Sequence, residues 1–142
     1  MKAPPLKKEK QKQMESQYQL KKSKVVKIES WKSWEDYITY ATNQGFPVMV
    51  HFSAFWCMPS IAMNPFFEEL ASTYQDVLFL KVDVDEVKEV ASKLEIKAMP
   101  TFVLMSGGAQ VNKIVGANPD ELRKIIEHFI QQTHSPPIQY EA

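Results

Sequence analysis

Large apolar residues are sparse and aperiodic over residues 1–24, and from Val25 onward they fall into alternating strand-like and helix-like runs. Val25-Val26-Lys27-Ile28 is short and β-branched, which predicts a first strand. Ser30 or Ser33 can cap a helix whose apolar positions Trp34, Tyr37, Ile38 and Ala41 recur at three- and four-residue spacing, with Gly45 at its stop. Residues 47–52 read as a strand buried on both faces, apart from His51. After the turn Trp56-Cys57-Met58-Pro59, an apolar helix runs to about Tyr74, and Pro65 should kink it by removing a backbone donor. Residues 77–82 form a third strand, and Asp85 opens a helix reaching about Leu94. Residues 101–105 and 111–115, joined through Ser106-Gly107-Gly108, carry a hairpin signature. Asn118 caps a last helix with Pro119 at its first position and Leu122, Ile125, Ile126, Phe129 and Ile130 on one face.

The order is β-α-β-α-β-α-β-β-α. It predicts an α/β fold with a central mixed sheet, parallel strands joined by right-handed crossovers, an antiparallel edge from the late hairpin, and helices on both faces. The chain of 142 residues suits one domain, expected over residues 25–133, with a polar, proline-containing tail over 134–142. No internal repeat is visible.

Charge changes the picture at the N-terminus. Residues 1–24 hold eight lysines against Glu9 and Glu15, a net +6, and the rest of the chain carries −6, since the total is zero. Such a leader cannot offset its ordering entropy and is expected to be disordered or transiently helical. Its lysines read either as a weak tether to RNA, acidic lipid or an acidic partner, or as a solvated, solubilising tail. It lacks the apolar segment of a secretory signal, the arginines of a transit peptide, and a glycine at position 2 for myristoylation. No run of about 18 apolar residues predicts a transmembrane helix. The expected compartment is therefore the reducing cytosol, with no specific nucleic-acid partner. One cysteine excludes an internal disulfide and a thiolate-rich metal site within one chain, and His51, His128 and His134 lack zinc-ligand spacing. No metal and no resident cofactor are expected.

Cys57 stands just beyond a buried strand and just before a helix. There the first backbone N–H groups have no intrahelical partner and the macrodipole is positive, so thiolate is favoured over thiol and a leaving thiolate can be held. Trp56 offers a flat wall beside it, and Pro59 keeps the turn rigid. This is a nucleophile's position.

Residues 50–60, Val-His-Phe-Ser-Ala-Phe-Trp-Cys-Met-Pro-Ser, resemble the redox loop of the thioredoxin family, a strand followed by Trp-Cys-x-Pro-x and a helix. Pro65 resembles the proline that kinks that family's active-site helix. Met99-Pro100-Thr101 resembles its cis-proline segment, which faces the cysteine and lines the substrate groove, and Gly116 resembles a glycine that keeps the groove open. The resemblance spans about residues 25–132 and implies a thioredoxin fold, with Trp56, Met58, Pro59, Met99, Pro100, Thr101 and Gly116 lining the groove. Pro100 in the cis form would leave its neighbours' backbone free to pair with a client strand.

The departures carry the functional reading. Ser60 stands where thioredoxins have a second, resolving cysteine, so the chain resembles the plant single-cysteine CxxS subgroup, related to thioredoxin h. Disulfide reduction by a thioredoxin needs that second thiol to release the mixed disulfide. A serine hydroxyl cannot do this, and Ser60 is assigned instead to a hydrogen bond with the Cys57 thiolate. The mixed disulfide must then be released by another thiol of the substrate, which is disulfide isomerisation, or by glutathione as co-substrate. His51 occupies a position usually acidic in the family, near a lysine matched by Lys81. It reads either as a proton acceptor or imidazolium that tunes the thiol, or as a neutral, hydrogen-bonded core histidine. Phe55, Met58 and Ile61 make the rim apolar, which suits exposed hydrophobic segments of a client.

Two function classes follow. One is an isomerase-type thiol–disulfide exchanger working through Cys57 on protein disulfides or thiols, with little reductase activity. The other is a non-catalytic client-binding, chaperone or glutathione-linked module on the same scaffold. A monothiol glutaredoxin holding an iron–sulfur cluster is disfavoured by Trp56 before the cysteine and Met58-Pro59 after it. A monomer is expected, with a Cys57-linked dimer accessible on oxidation.

Overall fold

The structure, a computed structural model, describes residues 8, 10, 11 and 24–134. Most of the expected leader, and the tail beyond residue 134, lie outside the described residues. The elements are β1 (Val25–Ile28), α1 (Trp31–Gln44), β2 (Val48–Ser53), α2 (Met58–Ala62), α3 (Asn64–Thr73), β3 (Leu78–Asp83), α4 (Lys88–Lys93), β4 (Thr101–Ser106), β5 (Ala109–Val115) and α5 (Pro119–His134). Ser30 caps α1 through a capping box with Ser33, and Gly45 ends it at a left-handed φ of 76°. Gly107 and Gly108, at φ 62° and 80°, are the two central residues of the tight turn joining β4 to β5, where both must be left-handed. Asn118 Oδ1 accepts from the Glu121 amide at the start of α5.

The sheet order is β1-β3-β2-β4-β5. β1, β3 and β2 are parallel, whereas β4 runs antiparallel to β2 and β5 antiparallel to β4. Helix-separated strands predict parallel pairing, yet β3 and β4 are separated by a helix and β4 enters the sheet in the opposite sense. The reason is length. Six-residue α4 covers about 9 Å, too short to return along a strand of about 20 Å, so β4 starts from the end where β3 finishes.

Two helix boundaries also differ from expectation. The single kinked helix after Cys57 is two segments, because Pro65 has no N–H to give and the chain closes a tighter bond, Met63 N–H to Ser60 C=O at 3.2 Å, before α3 begins. The helix expected from Asp85 starts at Lys88. Asp83 Oδ1 captures the amides of Asp85 and Glu86 at 2.8 and 3.2 Å, and that turn delays it.

Two apolar layers form, one on each face of the sheet. On one, Trp34, Tyr37 and Ala41 of α1 and Val90 of α4 pack on Val50, Phe52, Leu80 and Val82. On the other, Phe67 and Leu70 of α3 and Leu122 and Ile126 of α5 pack on Met49, Phe79, Phe102 and Leu104. β2 lies centrally and is buried at all six positions, including His51, which sequence had set apart from the buried run. β2, which leads into the cysteine loop, is therefore anchored in both layers, and α3, which follows it, in the second. Truncating Phe67, whose ring meets those of His51, Phe79 and Phe102, should lower the urea unfolding free energy by about 3–5 kcal/mol.

Candidate active site around Cys57

β2 ends at Ser53, and the chain turns at once: the Cys57 amide donates to the Ala54 carbonyl at 3.0 Å, which closes a four-residue turn with Phe55 and Trp56 at its corners. Corner side chains point outward, and Phe55 is 75% and Trp56 57% exposed. Cys57 is the N-cap of α2, in extended backbone conformation, with Met58 and Pro59 opening the helix. Trp56 is not loose: its indole Nε1–H donates to Asp85 Oδ2 at 2.7 Å, which ties the loop to the chain just after β3.

The half-buried Cys57 thiol donates to the Met99 carbonyl at 3.4 Å, 42 residues away in sequence. The Met99–Pro100 peptide is cis and Pro100 is buried. The Pro100 carbonyl accepts from the Gly116 amide at 2.8 Å, and Thr101 is buried as the first residue of β4. Gly116 has φ 108°, a conformation that side chains rarely adopt, and a Cβ there would meet nothing within 4 Å. Backbone conformation is what calls for this glycine, rather than crowding within the chain. Of the expected groove residues, Met99 meets the sulfur directly, Trp56, Met58 and Pro59 flank Cys57 along the chain, and Pro100, Thr101 and Gly116 follow Met99 through the cis peptide and the Gly116–Pro100 bond. Met58 (71%) and Ile61 are exposed on α2.

Ser60 and His51 form a second pair beneath the loop. Both are fully buried, and Ser60 Oγ lies 3.5 Å from His51 Nε2. The hydroxyl–sulfur bond expected from sequence is not formed here: the thiol's partner is the Met99 carbonyl, and the serine's is the histidine. The His51 ring stacks on Phe102 at 4.6 Å and meets the edge of Phe67 at 5.2 Å. Burial, with the positive charge of Lys81 beside it in strand register, pushes its pKa down to about 3. A ring held that low is neutral near pH 7, which is the form of the core-histidine alternative and not of the imidazolium one. Nδ1 has no hydrogen-bond partner. With the proton on Nε2, the ring donates to Ser60 and leaves only a lone pair unmet, whereas the other tautomer strands a buried N–H, the costlier defect. The Nε2–H form leaves the Ser60 hydroxyl proton free for another acceptor.

Sequence reasoning took Asp85 for a helix start and missed it as the anchor of Trp56. Its only signal was an acid shortly after the third strand, which many solvent-exposed positions share. A cleft of about 330 Å³ lined by Lys27, Phe55, Ile61, Lys81, Asp83 and Glu86 adjoins the loop. A larger cavity of about 670 Å³ lies between β5 and α5 and includes none of the loop residues. Among the described residues, no three His, Cys, Asp or Glu side chains converge as a metal site.

Comparison with known proteins agrees with this geometry. Residues 24–128 match the profile of the thioredoxin family. This chain belongs to the thioredoxin family. It is similar to "Thioredoxin-like protein CXXS1" of Arabidopsis thaliana, 57% identical over 111 residues, covering 78% of this chain and 94% of the relative. The rice protein of the same name is 55% identical over 105 residues, covering 74% and 79%. Among solved structures, a poplar wild-type thioredoxin h is 39% identical with a TM-score of 0.73, covering 75% of this chain and 96% of that one. The chain is a thioredoxin-family redox protein whose family points to protein thiols as substrates, and among its described residues no helix is long and apolar enough to cross a membrane.

The histidine gives this thioredoxin relative a measurable pH signature. Unfolded, His51 protonates below about pH 6.5; folded, it stays neutral down to about 3. Stability is therefore fully present above the unfolded value and is lost as pH falls between the two. Wild-type unfolding free energy, measured against His51→Leu, should fall by about 1.4 kcal/mol per pH unit on going from about pH 6 to about pH 4. Parallel curves would show that His51 titrates normally.

Proposed function

We propose that the protein catalyses thiol–disulfide exchange of the isomerase type through Cys57 alone. The observation that carries this is the pairing of a groove-lined cysteine with a serine at the resolving position. The Cys57 thiolate attacks one sulfur of a client disulfide, breaking that S–S bond, forming a mixed disulfide and releasing a client thiolate. A second client thiolate then attacks the client-side sulfur of the mixed disulfide. A new client disulfide forms and the Cys57 thiolate leaves, so no net electrons are transferred. Where no client thiol is in reach, glutathione serves as the releasing thiol, and the reaction becomes glutathione exchange in a reducing compartment such as the cytosol.

The surroundings favour this division of labour. Once the sulfur is deprotonated it no longer donates to the Met99 carbonyl and needs a donor in exchange. Ser60, one turn into the helix that Cys57 caps, has its hydroxyl proton free when His51 donates to its oxygen. His51 acts as a positioning residue and not as a base. The exposed apolar rim of Phe55, Trp56 and Met58 would hold a disordered apolar client segment.

The alternative, a client-binding module without chemistry, uses the same rim, and Cys57→Ser separates the two. Scrambled ribonuclease should regain activity with the wild-type protein in a glutathione buffer, fall to the uncatalysed rate with Cys57→Ser, and be recovered several-fold more slowly with Ser60→Ala. Insulin reduction driven by NADPH and thioredoxin reductase should stay at background. Ribonuclease recovery unchanged by Cys57→Ser would leave the rim, and not the sulfur, as the working part.

A further inference from the structure

Asp36 is buried on the wrong side of its helix. α1 turns Trp34, Tyr37, Ile38 and Ala41 toward the sheet. Asp36 falls on the opposite side, in line with Lys32 at four-residue spacing, where a helix of this kind meets solvent. Its side chain nevertheless keeps only 4% exposure. Lys32 does not cover it, since that side chain is itself 79% exposed, although its Nζ donates to Asp36 Oδ1 at 3.1 Å. The other carboxylate oxygen accepts no hydrogen bond and faces the Lys10 ammonium at 3.4 Å. Lys8, Lys10 and Gln11 have helical backbone, and Gln11 is half-buried although nothing apolar recommends it for burial. A carboxylate is seldom removed from water without a paired cation. Here one cation is Lys32 on the same helix, and the second, facing the oxygen that Lys32 does not reach, is Lys10 of the leader, which carries +6 against −6 for the remainder of the chain.

We propose that the outward face of α1 is a docking surface for a basic segment, that its occupant is this chain's own leader at Lys8, Lys10 and Gln11, and that Lys10 is the residue seated on Asp36. Lys8, Lys10 and Gln11 are then part of the folded unit. β1 delivers α1 at the same end of the sheet at which β2 delivers Cys57, Ile28 and Phe52 both being in register with Val82. The docked segment therefore lies toward the catalytic end of the molecule, on the sheet face opposite α3, and the reading is independent of what Cys57 catalyses.

Limited proteolysis of the full chain with thermolysin tests this, because the leader offers Leu6, Met14 and Leu20 as cleavage positions. Cleavage within the leader should accelerate several-fold in Lys10→Gln, in Asp36→Asn and in the charge-reversed single variants Lys10→Glu and Asp36→Lys. It should slow again toward wild type in the double variant Lys10→Glu/Asp36→Lys. Raising salt should accelerate cleavage of the wild type and leave Lys10→Gln unchanged. Lys10→Gln alters no residue of the sheet or its packed helices, so its result is readable even if an Asp36 variant folds poorly. Equal cleavage rates in wild type and Lys10→Gln would overturn the proposal. Protection that grows with protein concentration would also overturn it, by seating the leader on a second copy.

Discussion

A disulfide can be resolved inside a thioredoxin fold only if a second thiol stands one helical turn from the first, and this chain has a single thiol, Cys57, in all its 142 residues. Every other feature of the loop can be referred to that constraint. The sulfur is held ready at a helix start, against the Met99 carbonyl of the cis-proline segment, between an exposed tryptophan and an exposed methionine. Nothing in the fold can complete the family's two-step reduction. A mixed disulfide at Cys57 must be released by a thiol brought from outside, which returns to Cys57 the electrons it gave to the client.

The buried pair beneath the loop follows the same logic. In a two-cysteine protein, a buried titratable group at the position of His51 has a proton to move for the resolving step. Here the position is filled by an imidazole that burial and Lys81 keep neutral, stacked on Phe102, met edge-on by Phe67 and within reach of Ser60. Serine and histidine together convert a proton relay into a fixed hydrogen-bond pair. The cost is a Nδ1 with no partner, small if that atom carries a lone pair and larger if it carries a proton.

Most of the fold was legible in the sequence because its strands are short apolar runs bounded by caps and turn glycines, each with a local cause: Ser30, Gly45, Gly107-Gly108 and Asn118 all work within four residues of themselves. What was not legible depends on distance. The opposite sense of β4 comes from the shortness of α4, the late start of that helix from one side-chain oxygen of Asp83, and the break at Met63 from Pro65 acting on its neighbours. At the site, the residues around Cys57 were readable from local pattern and family resemblance. The bonds from Trp56 to Asp85, from Cys57 to the Met99 carbonyl and from Ser60 to His51 were not, because each joins residues that sequence order separates. The ion pair of Lys10 with Asp36 belongs to the same class, and its sign was visible only as the opposed charge of leader and domain.

The most direct test is the fate of the mixed disulfide. The reduced protein would be mixed with an equimolar peptide holding one disulfide between two separately removable chains, quenched with acid, and weighed intact by mass spectrometry. The account predicts that one peptide chain stays covalently attached to Cys57 until a thiol is added, and that glutathione then releases it and regenerates the free protein. Release of both chains as thiols with the protein recovered as an unmodified, unlinked monomer, and no added thiol, would contradict it, because that outcome requires a second electron donor that this chain does not contain.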